Sequence, residues 1–102
     1  MLEGLTAAQF SSRIGESFVL RLDGGEPPEL ELVLSEVAEG PVDPRPPEAR
    51  RAPFSLLFRG PASPALPQRI YKLRHRELGE LEIFLVPIRR DAQGLVYEAI
   101  FG

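Results

Sequence analysis

The only histidine is the residue in this chain best suited to acid–base or metal chemistry. His75 belongs to a side-chain type that titrates near neutral pH and commonly ligates metals. The alternation around it places His75 on the apolar face at the rim of a hairpin, and the nearest acid, Glu77, lies beyond the predicted strand end. A metal site needs more ligands than this spacing supplies. We therefore predict a structural histidine and no metal site, and we retain His75 as a weak ligand-binding candidate.

Two glutamate pairs have a spacing on which carboxylate catalysis could be built. Glu29 with Glu31, and Glu80 with Glu82, are each two residues apart, so each pair shares one strand face. Predicted arginine partners would keep these groups ionised, unlike a general acid. No Gly-x-Ser-x-Gly elbow is present, and Ser55 lies within an apolar strand. We predict no catalytic residue and no enzyme.

Basic side chains offer the remaining chemistry. Arg59 ends an apolar strand, where it could bind an anion or tie down the following loop, and we favour the second role. Lys72, Arg74 and Arg76 form a basic stripe, but Tyr71 lies on the opposite face and cannot stack bases beside them. The net charge of −3 also argues against nucleic-acid binding. Arg59 and Tyr71 stay weak ligand-binding candidates, and we expect no nucleic-acid partner.

Composition excludes several classes of protein. The 102 residues include no cysteine, so disulfides and thiolate sites are absent, and we expect no cofactor. No apolar run approaches the ~20 residues of a membrane helix, and the first residues do not resemble a signal peptide. We expect a cytoplasmic protein without membrane contact, and leave open membership of a secreted or particle-bound assembly.

The elements that would position these residues are one short helix and six strands. The spacing of Thr6 and Gln9 predicts a capping box for a helix over Ala7–Arg13, and Leu5 and Phe10 have the spacing of a hydrophobic staple. Alternation or apolar runs predict the strands. Their predicted ranges are Ser17–Leu22, Glu29–Val37, Phe54–Arg59, Arg69–Arg76, Glu80–Ile88 and Leu95–Phe101. Phe54–Arg59 is nearly all apolar, which predicts burial on both faces.

These elements predict a mainly β fold. We expect a six-stranded antiparallel barrel or compact sandwich with one short N-terminal helix, over a single domain at residues 1–102. The alternative is an open sheet packed on a twin subunit. Residues 40–53 hold five of the eleven prolines, so we predict an exposed loop there.

The hairpin over residues 69–88 carries the most specific prediction. A three-residue loop, Glu77-Leu78-Gly79, would place Gly79 at the left-handed position. The resulting register opposes Arg76 with Glu80 and Arg74 with Glu82, and pairs apolar groups with apolar groups on the other face. A two-residue loop would instead oppose charges with apolar side chains.

The last hairpin has more apolar surface than one core can use. Its second face would carry Phe84, Val86, Ile88, Val96 and Ile100, and a solvated face should not have this composition. We predict these five residues as an interface. The N-terminal helix, the proline-rich loop or another subunit would cover it, and a partner would be a second copy or a neighbouring structural protein.

Several motifs resemble those of a bacterial domain family with no assigned activity. They are the segment Phe54–Pro61, the tripeptide Leu66-Pro67-Gln68, and the segments Tyr71–His75, Leu78-Gly79, Phe84–Pro87 and Tyr97–Phe101. The resemblance runs from Leu5 to Phe101 and departs in the 40–53 loop. It implies a small β domain of about 100 residues, encoded near phage-tail-collar-like genes, and transfers no catalytic residue.

Two functions follow from these observations. The first is a non-catalytic structural or protein-interaction module, in keeping with an accessory of a phage-tail-like assembly. The alternative is a small-ligand-binding barrel, with a pocket lined by Tyr71, Phe84 or Tyr97 and Arg59 or His75 at its rim.

Overall fold

The computed structural model describes residues 6–22, 28–39 and 54–101. Two predicted features lie outside these ranges: the staple residue Leu5 and the proline-rich loop over 40–53.

The described chain forms one helix and six strands. The helix α1 covers Ala7–Ser11, and the strands are β1 Ser17–Arg21, β2 Glu29–Glu39, β3 Phe54–Gly60, β4 Arg69–His75, β5 Gly79–Asp91 and β6 Gly94–Phe101. The helix begins as predicted, because Gln9 Oε1 accepts a hydrogen bond of 2.9 Å from the Thr6 backbone N–H. It ends two residues earlier than predicted. Gly15 has a φ of +92°, and its N–H donates to the Leu34 carbonyl at 2.7 Å, which directs the chain onto β2.

The six strands close into an antiparallel barrel in the order β1-β2-β3-β6-β5-β4. The predicted mainly β fold is therefore confirmed as its barrel form, and the open-sheet alternative is wrong. The shortest strand pairing in the barrel is between β1 and β4, which pair only at Val19 with Arg74 and Leu20 with Leu73. Closing the sheet removes long free edges, which small β domains must otherwise protect.

The inward residues form one apolar core. On β5 and β6 Phe101 is partly exposed, and the other inward side chains are buried, namely Leu81, Ile83, Leu85, Leu95, Tyr97 and Ala99. On β3 the prediction of burial on both faces is wrong, because Ser55, Leu57 and Arg59 are only partly buried and alternate with buried residues. Ser55 and Arg59 make this second face largely polar, and the barrel has only one interior for apolar side chains.

The β4–β5 hairpin keeps the predicted faces in a register shifted by two residues. Arg74 lies opposite Glu80 and Lys72 opposite Glu82, whereas Arg76 belongs to the loop. The turn begins directly after His75, because the imidazole Nδ1 accepts hydrogen bonds from the Glu77 and Leu78 amides. A shift of two preserves the alternation of faces, so opposite charges still pair.

The antiparallel order gives the barrel two distinct ends. At the helix end lie α1, the β4–β5 turn and the C-terminal residues of β6. At the loop end lie residues 61–68, which cross the barrel from β3 to β4, and the β5–β6 turn. Gly94 has a φ of +131° at this turn, and a Cβ there would collide with the carbonyl oxygen of Gly60. Only glycine fits that position.

Candidate functional site

Among the described residues, one group of three histidine and carboxylate side chains lies close together around His75 at the helix end. His75 is 2% exposed, and its Nε2 lies 2.6 Å from Glu16 Oε1. Glu77 brings a second carboxylate, so that one ligand-type atom from each of the three residues lies within 4.8 Å of the others. The Phe18 ring packs against the imidazole at a centroid distance of 4.7 Å. Tertiary structure has therefore built a three-residue site from one predicted candidate and two acids.

The hydrogen bonds of His75 determine what this cluster can do. Nδ1 accepts two backbone N–H groups, from Glu77 at 3.0 Å and Leu78 at 3.2 Å. An Nδ1 that accepts carries no proton, so the neutral ring has its proton on Nε2 and donates it to Glu16. A metal on Nε2 would require loss of that proton while Nδ1 still faced two donors, which would leave an imidazolate. The arrangement favours a histidine that holds the turn by hydrogen bonds, and it disfavours a metal ligand.

Backbone contacts hold Glu16 in place. The Leu34 N–H donates to the Glu16 carbonyl at 3.1 Å, and the Glu16 N–H donates to the Arg13 carbonyl at 3.0 Å. Arg13 also reaches Glu77 across a 3.5 Å ion pair. The cluster therefore connects the segment after α1, strand β2 and the β4–β5 turn, and a shallow groove between β1 and β4 exposes its edge.

Arg59 is engaged in an ion pair on the outer surface. Its Nη1 donates to both oxygens of the Asp91 carboxylate, at 2.7 and 2.9 Å. This hydrogen bond is the main cause that lowers the pKa of Asp91, and a second bond from the Gln93 backbone N–H adds to it. Arg59 thus links β3 to the end of β5 across β6, and its guanidinium is already bound to a carboxylate.

The two tyrosines use their hydroxyl groups to hold the loop end. Tyr71 donates to the Pro67 carbonyl at 2.6 Å, and Tyr97 accepts from the Leu66 N–H at 3.0 Å. Burial raises the pKa of Tyr71, and the nearby positive charge of Arg69 opposes this only in part. The hydroxyl therefore keeps its proton at neutral pH and donates it to Pro67.

The weak ligand-binding candidates do not converge on one pocket. His75 lies at the helix end, Tyr71 contacts the loop end, and Arg59 lies on the outer surface. Phe84, the other proposed lining residue, is exposed on the outside of the barrel. Large core side chains such as Tyr97 and Phe58 fill the interior at the described positions.

The predicted interface residues occupy the outer face of β5 and β6, with one exception. Phe84, Ile88 and Ile100 are exposed by 46%, 41% and 73%, and Val86 is partly buried. Val96 is fully buried, contrary to an exposed role. It lies between Arg59 and Arg89 in the strand register.

A further exposed residue belongs to the same surface. Ile70 is 63% exposed and lies opposite Phe84 in the β4–β5 register. We call Ile70, Phe84, Ile88 and Ile100 the apolar face. Helix α1 does not cover it: its Phe10 packs at the helix end, against Phe18, Phe54 and Phe101. Of the three covers proposed for this face, the N-terminal helix is therefore wrong, and the proline-rich loop lies outside the described residues.

A family model with the description "Domain of unknown function (DUF6916)" matches residues 5–101. The chain belongs to the DUF6916 family. This agrees with the resemblance to a family with no assigned activity and brings no catalytic residue to the cluster. No curated protein and no solved structure matches the chain. Among the described residues, no helix is long and apolar enough to cross a membrane.

Two residues of this DUF6916 domain acquire their roles only through the fold. Glu16 is 59 residues from His75 in sequence and carries no local signal for that contact. Asp91 could have been found, because Asp-Ala-Gln-Gly between two strands is typical of a turn. Its Oδ1 indeed accepts the Gln93 N–H at 2.9 Å. The pairing of Asp91 with Arg59 still depends on the order of strands in the barrel.

Proposed function

We propose that this domain is a non-catalytic protein-interaction module that binds its partner through the apolar face. The observation that carries this proposal is the exposure of Ile70, Phe84, Ile88 and Ile100 on neighbouring strands. Exposed apolar residues grouped on one side of a small domain are typical of interaction surfaces, whereas scattered single ones are not.

The polar groups support the same proposal. His75, Arg59, Tyr71 and Tyr97 are each bound to another part of the fold, and this leaves their functional atoms unavailable for substrate. The interior is packed with apolar side chains, which argues against the alternative of a ligand-binding barrel. A structural role in a phage-tail-like assembly is the finer form of this proposal, and only the motif resemblance supports it.

Site-specific photo-crosslinking tests the interaction surface in cells that express the full chain. A photoreactive phenylalanine analogue replaces Phe84, and in a matched control it replaces Arg76 at an exposed position of the β4–β5 turn, where no crosslink is expected. We expect a discrete crosslinked protein from position 84 after irradiation. An unchanged band at the mass of the single chain, at every expression level, would contradict the proposal.

The identity of the crosslinked band then refines the function. A product at twice the chain mass identifies a second copy, and any other mass identifies a different protein for sequencing. A structural protein of a phage-tail-like particle in that band would support the finer proposal, and a partner of unrelated type would reject it.

A further inference from the structure

The outer face of β2 carries exposed acidic side chains. Glu31 and Glu36 are both exposed, and the half-buried Val33 lies between them. Glu29 also belongs to this face, but Arg74 approaches it to 3.8 Å. Among the described residues, no ion pair connects Glu31 or Glu36 to another side chain. We call Glu31 and Glu36 the acidic pair.

An exposed basic pair adjoins the apolar face. Arg89 and Arg90 are both exposed and follow Ile88 directly on β5. Arg89 lies on the outer face opposite Val96, and Arg90 lies at the loop end opposite Leu95. Within the described part of the chain, neither arginine takes part in an ion pair, although the charge of Arg89 acts on nearby Asp91. We call Arg89 and Arg90 the basic pair.

The barrel places these two pairs on opposite sides. In the closed order β1-β2-β3-β6-β5-β4, strands β2 and β5 are three positions apart in both directions. They also share one cross-strand row, because Val33 pairs with Arg59, Arg59 with Val96, and Val96 with Arg89. Arg89 is therefore in line with Val33, between the two acids, across the molecule. One copy cannot bring the two pairs together.

We infer that the partner of the apolar face is a second copy of this chain, bound head to tail. The β5 side of one copy, with the apolar face and basic pair, contacts the β2 side of the next, with Val33 and the acidic pair. This inference rests on the proposed function and names the partner. The contact is heterologous, because the two surfaces differ, so a row of bound copies retains one free surface of each kind, one at either end. Opposite charges across the contact set its orientation.

Charge reversal tests this arrangement on the full-length chain. One variant carries Glu31→Arg with Glu36→Arg, and the other carries Arg89→Glu with Arg90→Glu. In sedimentation velocity, the wild-type chain should associate as its concentration rises. Association should be stronger at about 0.02 M than at about 0.5 M salt, because higher ionic strength screens the charges across the contact. Each variant alone presents like charges at the contact, and its apparent Kd should rise at least about tenfold.

The decisive sample is an equimolar mixture of the two variants. Each variant then offers the opposite charge to the other at both kinds of surface, so association should return to near the wild-type level. Arg76→Glu, at an exposed turn position away from both pairs, is the control and should associate like the wild type. Circular dichroism confirms that every variant folds.

Three results would overturn the inference. They are a wild-type chain that stays monomeric at the highest concentration, variants that associate unchanged, and a mixture that fails to restore association. None of these removes the proposed function, since a crosslink from position 84 to a different protein would sustain it. Conversely, a chain with neither crosslink nor self-association would lose both.

Discussion

The two ends of the barrel are closed by different chemistry. At the helix end, Phe10 packs among three other phenylalanines, and Phe54 stacks on Phe101 at a centroid distance of 4.7 Å. At the loop end, the hydroxyl groups of Tyr71 and Tyr97 hold residues 61–68. A fully buried phenylalanine contributes about 2–3 kcal/mol, whereas a neutral hydrogen bond contributes about 1 kcal/mol net.

This difference indicates where the chain uses its polar groups. Both ends employ residue types that also serve in active sites, namely His75 at one and the tyrosines at the other. At both ends these groups hold the chain to itself. The surface left for other molecules is the outer surface of the barrel. Weakening each end in turn tests whether the polar groups at the ends serve only to hold the fold.

The largest effect is expected from Phe10→Ala at the helix end. The variant removes a fully buried ring from the aromatic cluster, and we expect a loss of about 3–5 kcal/mol in the free energy of unfolding. Urea denaturation followed by circular dichroism measures it. Ile14→Ala is the matched control, since Ile14 is 50% exposed, and it should cost less than about 0.5 kcal/mol. Equal effects from both variants would mean that Phe10 does not close this end.

His75→Ala should have the second-largest effect. It leaves two loop amides and Glu16 without their partner, and we expect a loss of about 2–3 kcal/mol. His75→Asn keeps an acceptor oxygen near the position of Nδ1 and should recover part of this loss. Nitrogen NMR of the wild type should show a bare Nδ1 and a protonated Nε2 at neutral pH. The reverse tautomer, with the proton on Nδ1, would refute the hydrogen bonds from the Glu77 and Leu78 amides to this atom.

At the loop end, Tyr97→Phe should cost less. The Leu66 N–H loses its buried acceptor while the ring stays in the core, so we expect a loss of about 1–2 kcal/mol. The amide of Leu66 should exchange with solvent faster, as hydrogen exchange can measure. Tyr71→Phe removes only a donor at a partly exposed contact and should have a smaller effect. A Tyr97→Phe loss above that of Phe10→Ala would reverse the comparison of the two ends.

The smallest effect is expected on the outer surface, from the Arg59–Asp91 pair. Hydrogen bonding to Arg59 lowers the pKa of Asp91 below its ordinary value of 3.8. A lowered folded-state pKa stabilises the fold above the unfolded pKa, and this contribution is lost as the pH falls through the folded pKa. Between about pH 5 and 2, the wild type should lose slightly more stability than Asp91→Asn in thermal unfolding. Identical pH profiles would show that the pair contributes nothing to folding.

Much of the fold was predictable from local pattern. The spacing of Thr6 and Gln9 predicts the start of the helix, where the structure has it. Leu30, Leu32 and Leu34 alternate with other residues in the sequence, and all three are buried. A register error of two residues in the β4–β5 hairpin left every face correct, because side chains alternate with a period of two. The candidate site was less predictable: alternation placed His75 on the apolar face, where it is buried, but Glu16 could not be assigned to it.

What the sequence alone determined is therefore the set of strands and the side of each strand that faces the core, since both depend on neighbours within a few residues. Only the tertiary structure decided which distant groups meet. The closed strand order brought Glu16 to His75 and Asp91 to Arg59, and it buried Val96 between two arginines. It also put β2 and β5 on opposite sides of the barrel. Such contacts join residues far apart in the chain, and short-range alternation carries no information about them.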